Sequence, residues 1–189
     1  THSTINRYTS STILDASPRI ERQEISNTSF DLNGNITSQE IELYVNELLS
    51  RKTYITNSNI SNLGDAGNQE ILTYSTDDLG VLLSVPTSYQ LITNRVFDSD
   101  HNVLNQMVLN YTEKGGTLLD VQEIRNLSFD SRGNVLVQVI ATFKDMDQTV
   151  LLDIKVIRNE NLDSLGNARK VTILKYASGQ VSGDTISYS

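Results

Sequence analysis

The chain has 189 residues, no Cys, no Trp, two Pro, 38% hydrophobic residues and a formal net charge of −8. The acidic balance argues against nucleic acid or an anionic membrane as partner, and the lack of Cys excludes disulfides and thiolate metal sites. Neither a secretory signal nor an apolar run of membrane-spanning length is visible, so no membrane insertion is expected.

Along the chain, one pattern returns. Ile5 and Tyr8 fall in slots that recur downstream, so residues 1–12 read as a partial repeat, the second strand of a hairpin whose turn would precede Thr1. The first full copy runs from Ile25-Ser26-Asn27 through the turn Asp31-Leu32-Asn33-Gly34-Asn35 to Ile41 and Tyr44. In the second, Ile55-Thr56-Asn57 precedes a shorter turn read as Asp65-Ala66-Gly67-Asn68, which implies three inserted residues between them. The third carries Ile92-Thr93-Asn94 and Asp98-Ser99-Asp100-His101-Asn102, with His in the Gly slot, then Val108 and Tyr111. The fourth has Ile124-Arg125-Asn126, Asp130-Ser131-Arg132-Gly133-Asn134, Ile140 and Phe143. The fifth has Ile157-Arg158-Asn159, Asp163-Ser164-Leu165-Gly166-Asn167, Ile173 and Tyr176. Residues 177–189 read as a partial lead-in strand to a further copy. The turn asparagines Asn35, Asn68, Asn102, Asn134 and Asn167 are 33, 34, 32 and 33 residues apart, the mark of a repeat array over residues 1–189.

The offsets fit a hairpin. With Asp facing the turn Asn, x-x-Gly forms a three-residue loop, a type I turn closed by one left-handed residue. Gly takes that conformation without penalty, and Asp at the first position bonds the backbone ahead of it. His101 is tolerable there because His is enriched among left-handed non-Gly residues. Counting outward places Ile25 opposite Ile41, Asn27 opposite Gln39, Ile92 opposite Val108 and Asn94 opposite Gln106. The same count pairs Ile124 with Ile140, Asn126 with Gln138, Phe129 with Val135 and Ile157 with Ile173. Like facing like is what cross-strand packing requires.

One segment competes. Residues 37–49 have helical periodicity, and Thr37 with Glu40 would make a capping box. The same slots in the fourth copy, Val135 to Phe143, are plainly strand-like, and register across copies outweighs propensity in one. The expected class is all-β: tandem antiparallel hairpins of about ten strands, forming a curled or stacked sheet or a solenoid-like array. Meander, solenoid and sandwich remain open.

Chemistry is sparse. His2 and His101 are the only histidines, and neither has a partner pattern for catalysis, so no enzyme, catalytic residue or cofactor is expected. Asp31-x-Asn33-x-Asn35 and Asp98-x-Asp100-x-Asn102 resemble the start of a calcium loop, whose twelfth position would fall on Glu42 and Leu109. Arg132 and Leu165 stand where a cation would want oxygen. A structural role is therefore assigned to Asp31, Gly34, Asn35, Asp65, Gly67, Asn68, Asp98, His101, Asn102, Asp130, Gly133, Asn134, Asp163, Gly166 and Asn167, with no metal. The Asn of Ile-x-Asn is expected to pair with the facing Gln rather than form a ladder between copies, since equivalent strands of a meander lie about 9.6 Å apart.

Phe30-Asp31, Phe97-Asp98 and Phe129-Asp130, each opening a turn, resemble the YD repeats of Rhs and teneurin-type surface proteins. Those repeats are β-hairpins wound into extracellular shells. The resemblance implies a hairpin unit and an extracellular or cell-surface setting; here Phe or Leu replaces Tyr and the period is longer. The expected function is a structural segment of a fibre or filament protein, self-associating by strand addition, with other copies or neighbouring repeats as partners. The cut repeats at both ends fit either an excerpt of an array or a processed subunit with open edges. The alternatives are an adhesin-type or carbohydrate-contacting module, or part of an encapsulating shell.

Overall fold

The computed structural model describes residues 1–8, 19–164 and 166–189. Among the described residues, thirteen strands account for the regular structure and no helix occurs. They are β1 (His2–Tyr8), β2 (Arg19–Phe30), β3 (Ile36–Val45), β4 (Leu48–Ile60), β5 (Ala66–Ser75), β6 (Ser88–Phe97) and β7 (Val103–Tyr111). There follow β8 (Leu118–Phe129), β9 (Val135–Phe143), β10 (Leu151–Leu162), β11 (Ala168–Tyr176), β12 (Gly179–Ser182) and β13 (Thr185–Tyr188). β1 to β11 form one open sheet in sequence order, so of the three topologies the sequence leaves open, the chain takes the meander.

The repeat register appears as expected. Ile25 pairs with Ile41 and Asn27 with Gln39, Ile124 with Ile140 and Asn126 with Gln138, and Ile157 with Ile173. The helix-like stretch is strand β3, a two-residue turn and the start of β4. Asn46 and Glu47 at that turn have φ of 50 and 66°, the type I′ pattern that matches strand twist. Facing Ile25 across the pair fixes Ile41 on a strand, and that tertiary demand overrides local helix propensity.

Residues 177–189 depart from expectation. They do not lead into a further strand of the sheet but form their own hairpin, β12–β13. Gly183, at φ 55°, and Asp184 supply the turn. Tyr188 packs on Tyr176 with ring centroids 4.5 Å apart, and Arg125 Nη2 donates to Gly183 O at 2.7 Å. These contacts draw the segment back over the sheet face instead of extending its edge.

Contacts divide the chain into two compact units, Thr1–Leu91 with Tyr111–Thr117, and Ile92–Asn110 with Leu118–Ser189. In the first, Tyr89 alone among the described residues is buried. One side of its sheet carries long polar chains laid over the strands. The Arg22 guanidinium lies 3.8 Å from the Tyr44 ring centroid. Lys52 bridges Glu40 at 2.9 Å and Glu42 at 3.0 Å. Tyr54 meets Tyr74 edge-on at 5.8 Å. Stems and rings shield the backbone where no apolar core does.

The second unit is built differently. Val121, Ala141 and Ile154 have no exposed surface, and Val139 and Val156 have 2%. Strand pairing places them together, Ile154 beside Ala141 and Val156 beside Val139. The β12–β13 hairpin covers this side: any Cβ on Gly179 would collide with Ile154 Cδ1. Apolar burial, the main favourable term in folding, is thus concentrated here.

Candidate functional site

The recurring turn is one hydrogen-bonded device. Asp31 N donates to Asn35 O at 2.9 Å and Gly34 N to Asp31 O at 3.1 Å, closing the three-residue loop. Asp31 Oδ1 accepts from Asn33 N and Asn35 N, and Oδ2 accepts from Asn35 Nδ2. Asp98 with Asn102 and Asp130 with Asn134 repeat the arrangement. Asn167 likewise donates to Asp163 through its backbone and side chain. The side-chain bond from the turn Asn, then its backbone bond, hold the Asp31, Asp98 and Asp130 carboxyls below the usual range. These oxygens are committed to the turn, and Glu42, the would-be twelfth calcium position, lies in β3 bonded to Lys52.

Each Gly slot is left-handed: Gly34, Gly133 and Gly166 have φ of 84, 81 and 85°, and His101 has 67°. A second demand falls on Gly133 and Gly166. A Cβ on Gly133 would lie 2.7 Å from Asn102 Oδ1, and one on Gly166 would lie 2.6 Å from Asn134 Oδ1. Asn102 and Asn134 thus each reach across to the glycine of the next turn.

The second copy needs correction. Its turn is not Asp65-Ala66-Gly67-Asn68 but Ser61-Asn62-Leu63-Gly64-Asp65. Ser61 N donates to Asp65 O at 2.9 Å, Gly64 N donates to Ser61 O at 3.0 Å, and Gly64 has φ 95°. Ser61 Oγ accepts from Leu63 N and Asp65 N, doing the work of Asp, while Asp65 holds the Asn slot. Gly67 and Asn68 lie within β5. No three-residue insertion exists: Asn57 stands eight residues before Asp65, as in the other copies. Ile55 pairs with Ile71 and Asn57 with Gln69. The spacing from Asn35 to Asp65 is 30 and from Asp65 to Asn102 is 37. The surplus lies in the long connection at 76–87, where Asp77 and Gly80 build another turn of the same kind with Val81 in the Asn slot.

The second recurring element joins hairpins. Gln39, Gln69, Gln106 and Gln138 each donate Nε2 to the Oδ1 of Asn27, Asn57, Asn94 and Asn126, at 2.8, 3.0, 2.8 and 2.7 Å. The expected pairing is therefore present, but it is half of the role. The Asn Nδ2 reaches the preceding hairpin: Asn57 to Ile36 O at 3.0 Å, Asn126 to Val103 O at 2.8 Å and Asn159 to Val135 O at 3.0 Å. The accepting carbonyl belongs each time to the residue after the turn. One side chain thus ties its own hairpin together and fastens it to the one before. Equivalent side chains are two strands apart, too far for a ladder, but the backbone of the adjacent strand is one spacing away.

A buried ionic cluster in the second unit gave no sequence signal. Glu123, 2% exposed, accepts from Arg95 at 2.7 and 3.0 Å, from Arg125 at 3.1 Å and from Gln148 at 2.8 Å. Burial pushes its carboxyl up, but these bonds, Arg95 first, outweigh it and hold the group below the usual glutamate value. Arg125 is 2% exposed and links the cluster to Gly183, while Asn105 Nδ2 donates to Asp184 Oδ1 at 2.5 Å. The cluster therefore anchors the β12–β13 turn. Its arginine was visible only as the variable residue of Ile-Arg-Asn.

No family model and no curated protein matches the chain.

Proposed function

We propose that this chain is a structural repeat segment of an extracellular or cell-surface fibre protein, self-assembling by strand addition. What supports the reading is a junction repeated three times. Asn57, Asn126 and Asn159 fasten their hairpins to the preceding one by the same bond, so each unit carries the means of attaching the next. Such an array gains length by repetition. Among the described residues, β1 and β11 each pair on one side only, leaving backbone groups for a further strand. The conserved-geometry turns are spent on their own folding, which suits a scaffold. A carbohydrate-contacting surface has less support, because Tyr44, Tyr54, Tyr74, Tyr89 and Tyr111 pack against cations or one another. Static light scattering of the 189-residue chain over a concentration series tests self-assembly. Mass growing with concentration is expected; a constant monomer mass would contradict it.

A further inference from the structure

The geometry points to a specific occupant for the free edge of β11: an extended antiparallel strand carrying Ile-x-Asn. This rests on the array reading and adds a register and a sequence requirement to it. Among the described residues, β11 is bonded to β10 alone. At three junctions within the sheet, the strand that follows a hairpin sends its Asn to the carbonyl of the residue after the preceding turn, as Asn57, Asn126 and Asn159 do. In β11 that residue is Ala168, which follows Asn167.

The register follows from the same junctions. Ile55 lies opposite Gln39 and Ile157 opposite Gln138, each four residues past the preceding turn Asn. The corresponding residue of β11 is Val171. An incoming Ile would face Val171, and its Asn, two residues on, would reach Ala168 O.

Exposure marks the same place. Val108 and Ile173 occupy the same slot, six residues past the turn, yet Val108 is 6% exposed and Ile173 is 55%. Val171 is 52% exposed, where interior copies carry Gln. Edge lysines ordinarily discourage pairing, but Lys170 is held by Glu160 at 2.6 Å and Lys175 by Asp153 at 3.0 Å, both within the hairpin. Main-chain bonds along the edge would supply affinity, and the Ile and Asn contacts would supply register.

The test uses the 189-residue chain, at a concentration where light scattering shows monomer, and a labelled peptide of the β8 sequence, Leu118–Phe129. Fluorescence anisotropy is expected to give saturable binding, weakened about tenfold when the peptide carries Asn126→Ala. Hydrogen exchange is expected to show alternate amides of Ala168–Tyr176 newly protected. Absence of saturable binding, equal binding by the Asn126→Ala peptide, or protection at β1 instead would overturn the assignment. If the peptide fails while the chain still assembles at higher concentration, this register falls and the array reading stands. If it binds as described to a chain that never assembles, the site stands and self-assembly falls.

Discussion

Asn126 and Gln138 face each other across β8 and β9, and Asn126 accepts from Gln138 at 2.7 Å while donating to Val103 O at 2.8 Å. The two partners are therefore unequal. Asn126→Ala strips a partner from Gln138 and from the Val103 carbonyl, whereas Gln138→Ala strips one from Asn126 alone. Leaving a buried polar group unpaired costs about 1–3 kcal/mol. Urea unfolding should show Asn126→Ala destabilising by about 2 kcal/mol and Gln138→Ala by about half that. Equal losses would mean that the bond between hairpins contributes nothing.

Two glycines separate backbone strain from turn-to-turn contact. Gly34 and Gly133 have nearly the same φ, 84 and 81°, but a Cβ on Gly34 meets nothing within 4 Å, whereas one on Gly133 approaches Asn102 Oδ1 to 2.7 Å. Gly34→Ala should cost about 1–2 kcal/mol from the left-handed backbone, and Gly133→Ala measurably more. The converse change, His101→Gly, should stabilise by up to about 1 kcal/mol. Thermal melts of the three variants check the order.

The second turn departs from the pattern and offers room for improvement. Ser61→Asp with Asp65→Asn would recreate the Asp–Asn device of Asp31 and Asn35. Consensus repair of this kind commonly stabilises by about 0.5–2 kcal/mol. A loss of stability would show that this turn is held by contacts other than those its neighbours use.

That turn also shows where sequence reading succeeds and where it stops. Ile25, Ile41, Asn27 and Gln39 declared their register because the hairpin is local and symmetric about Asp31 and Asn35. The second turn is hidden in the sequence because Ser61 and Asp65 replace Asp and Asn, while Asp65-Ala66-Gly67-Asn68 imitates the motif. The bond from Asn126 to Val103 lies between hairpins, so no periodicity within one copy exposes it. The Glu123 cluster depends on Arg95, Gln148 and Gly183, far apart in the chain and outside the repeat slots. The hairpin of residues 179–188 lies outside the repeat, so the periodicity does not reveal that Gly183-Asp184 is its turn.

Acid should act through carboxyls held below their usual values. Glu123, Asp31, Asp98 and Asp130 all shift downward on folding. Such groups contribute fully above their unfolded pKa, about 4.3 for Glu and 3.9 for Asp, and lose the contribution as pH falls through the lower folded value. Stability from these groups should stay level from about pH 7 to 5 and decline below about pH 4.3. Glu123→Gln leaves Arg125 buried without its charge partner and should cost about 3 kcal/mol at neutral pH, with a shallower acid decline. Chemical denaturation across pH measures both; an unchanged acid limb in that variant would remove Glu123 from the account.

Burial differs between the units, and hydrogen exchange should report it. Amides of β8, β9 and β10, around Val121, Val139, Ala141 and Ile154, should be the slowest to exchange. Those of β2 to β5, where no described residue is buried, should open at lower free energy. Uniform protection would contradict the division.

Electron microscopy of the purified 189-residue chain over increasing concentration shows whether the repeat builds length. Filaments that lengthen with concentration are expected. Discrete particles of one size at every concentration would contradict it.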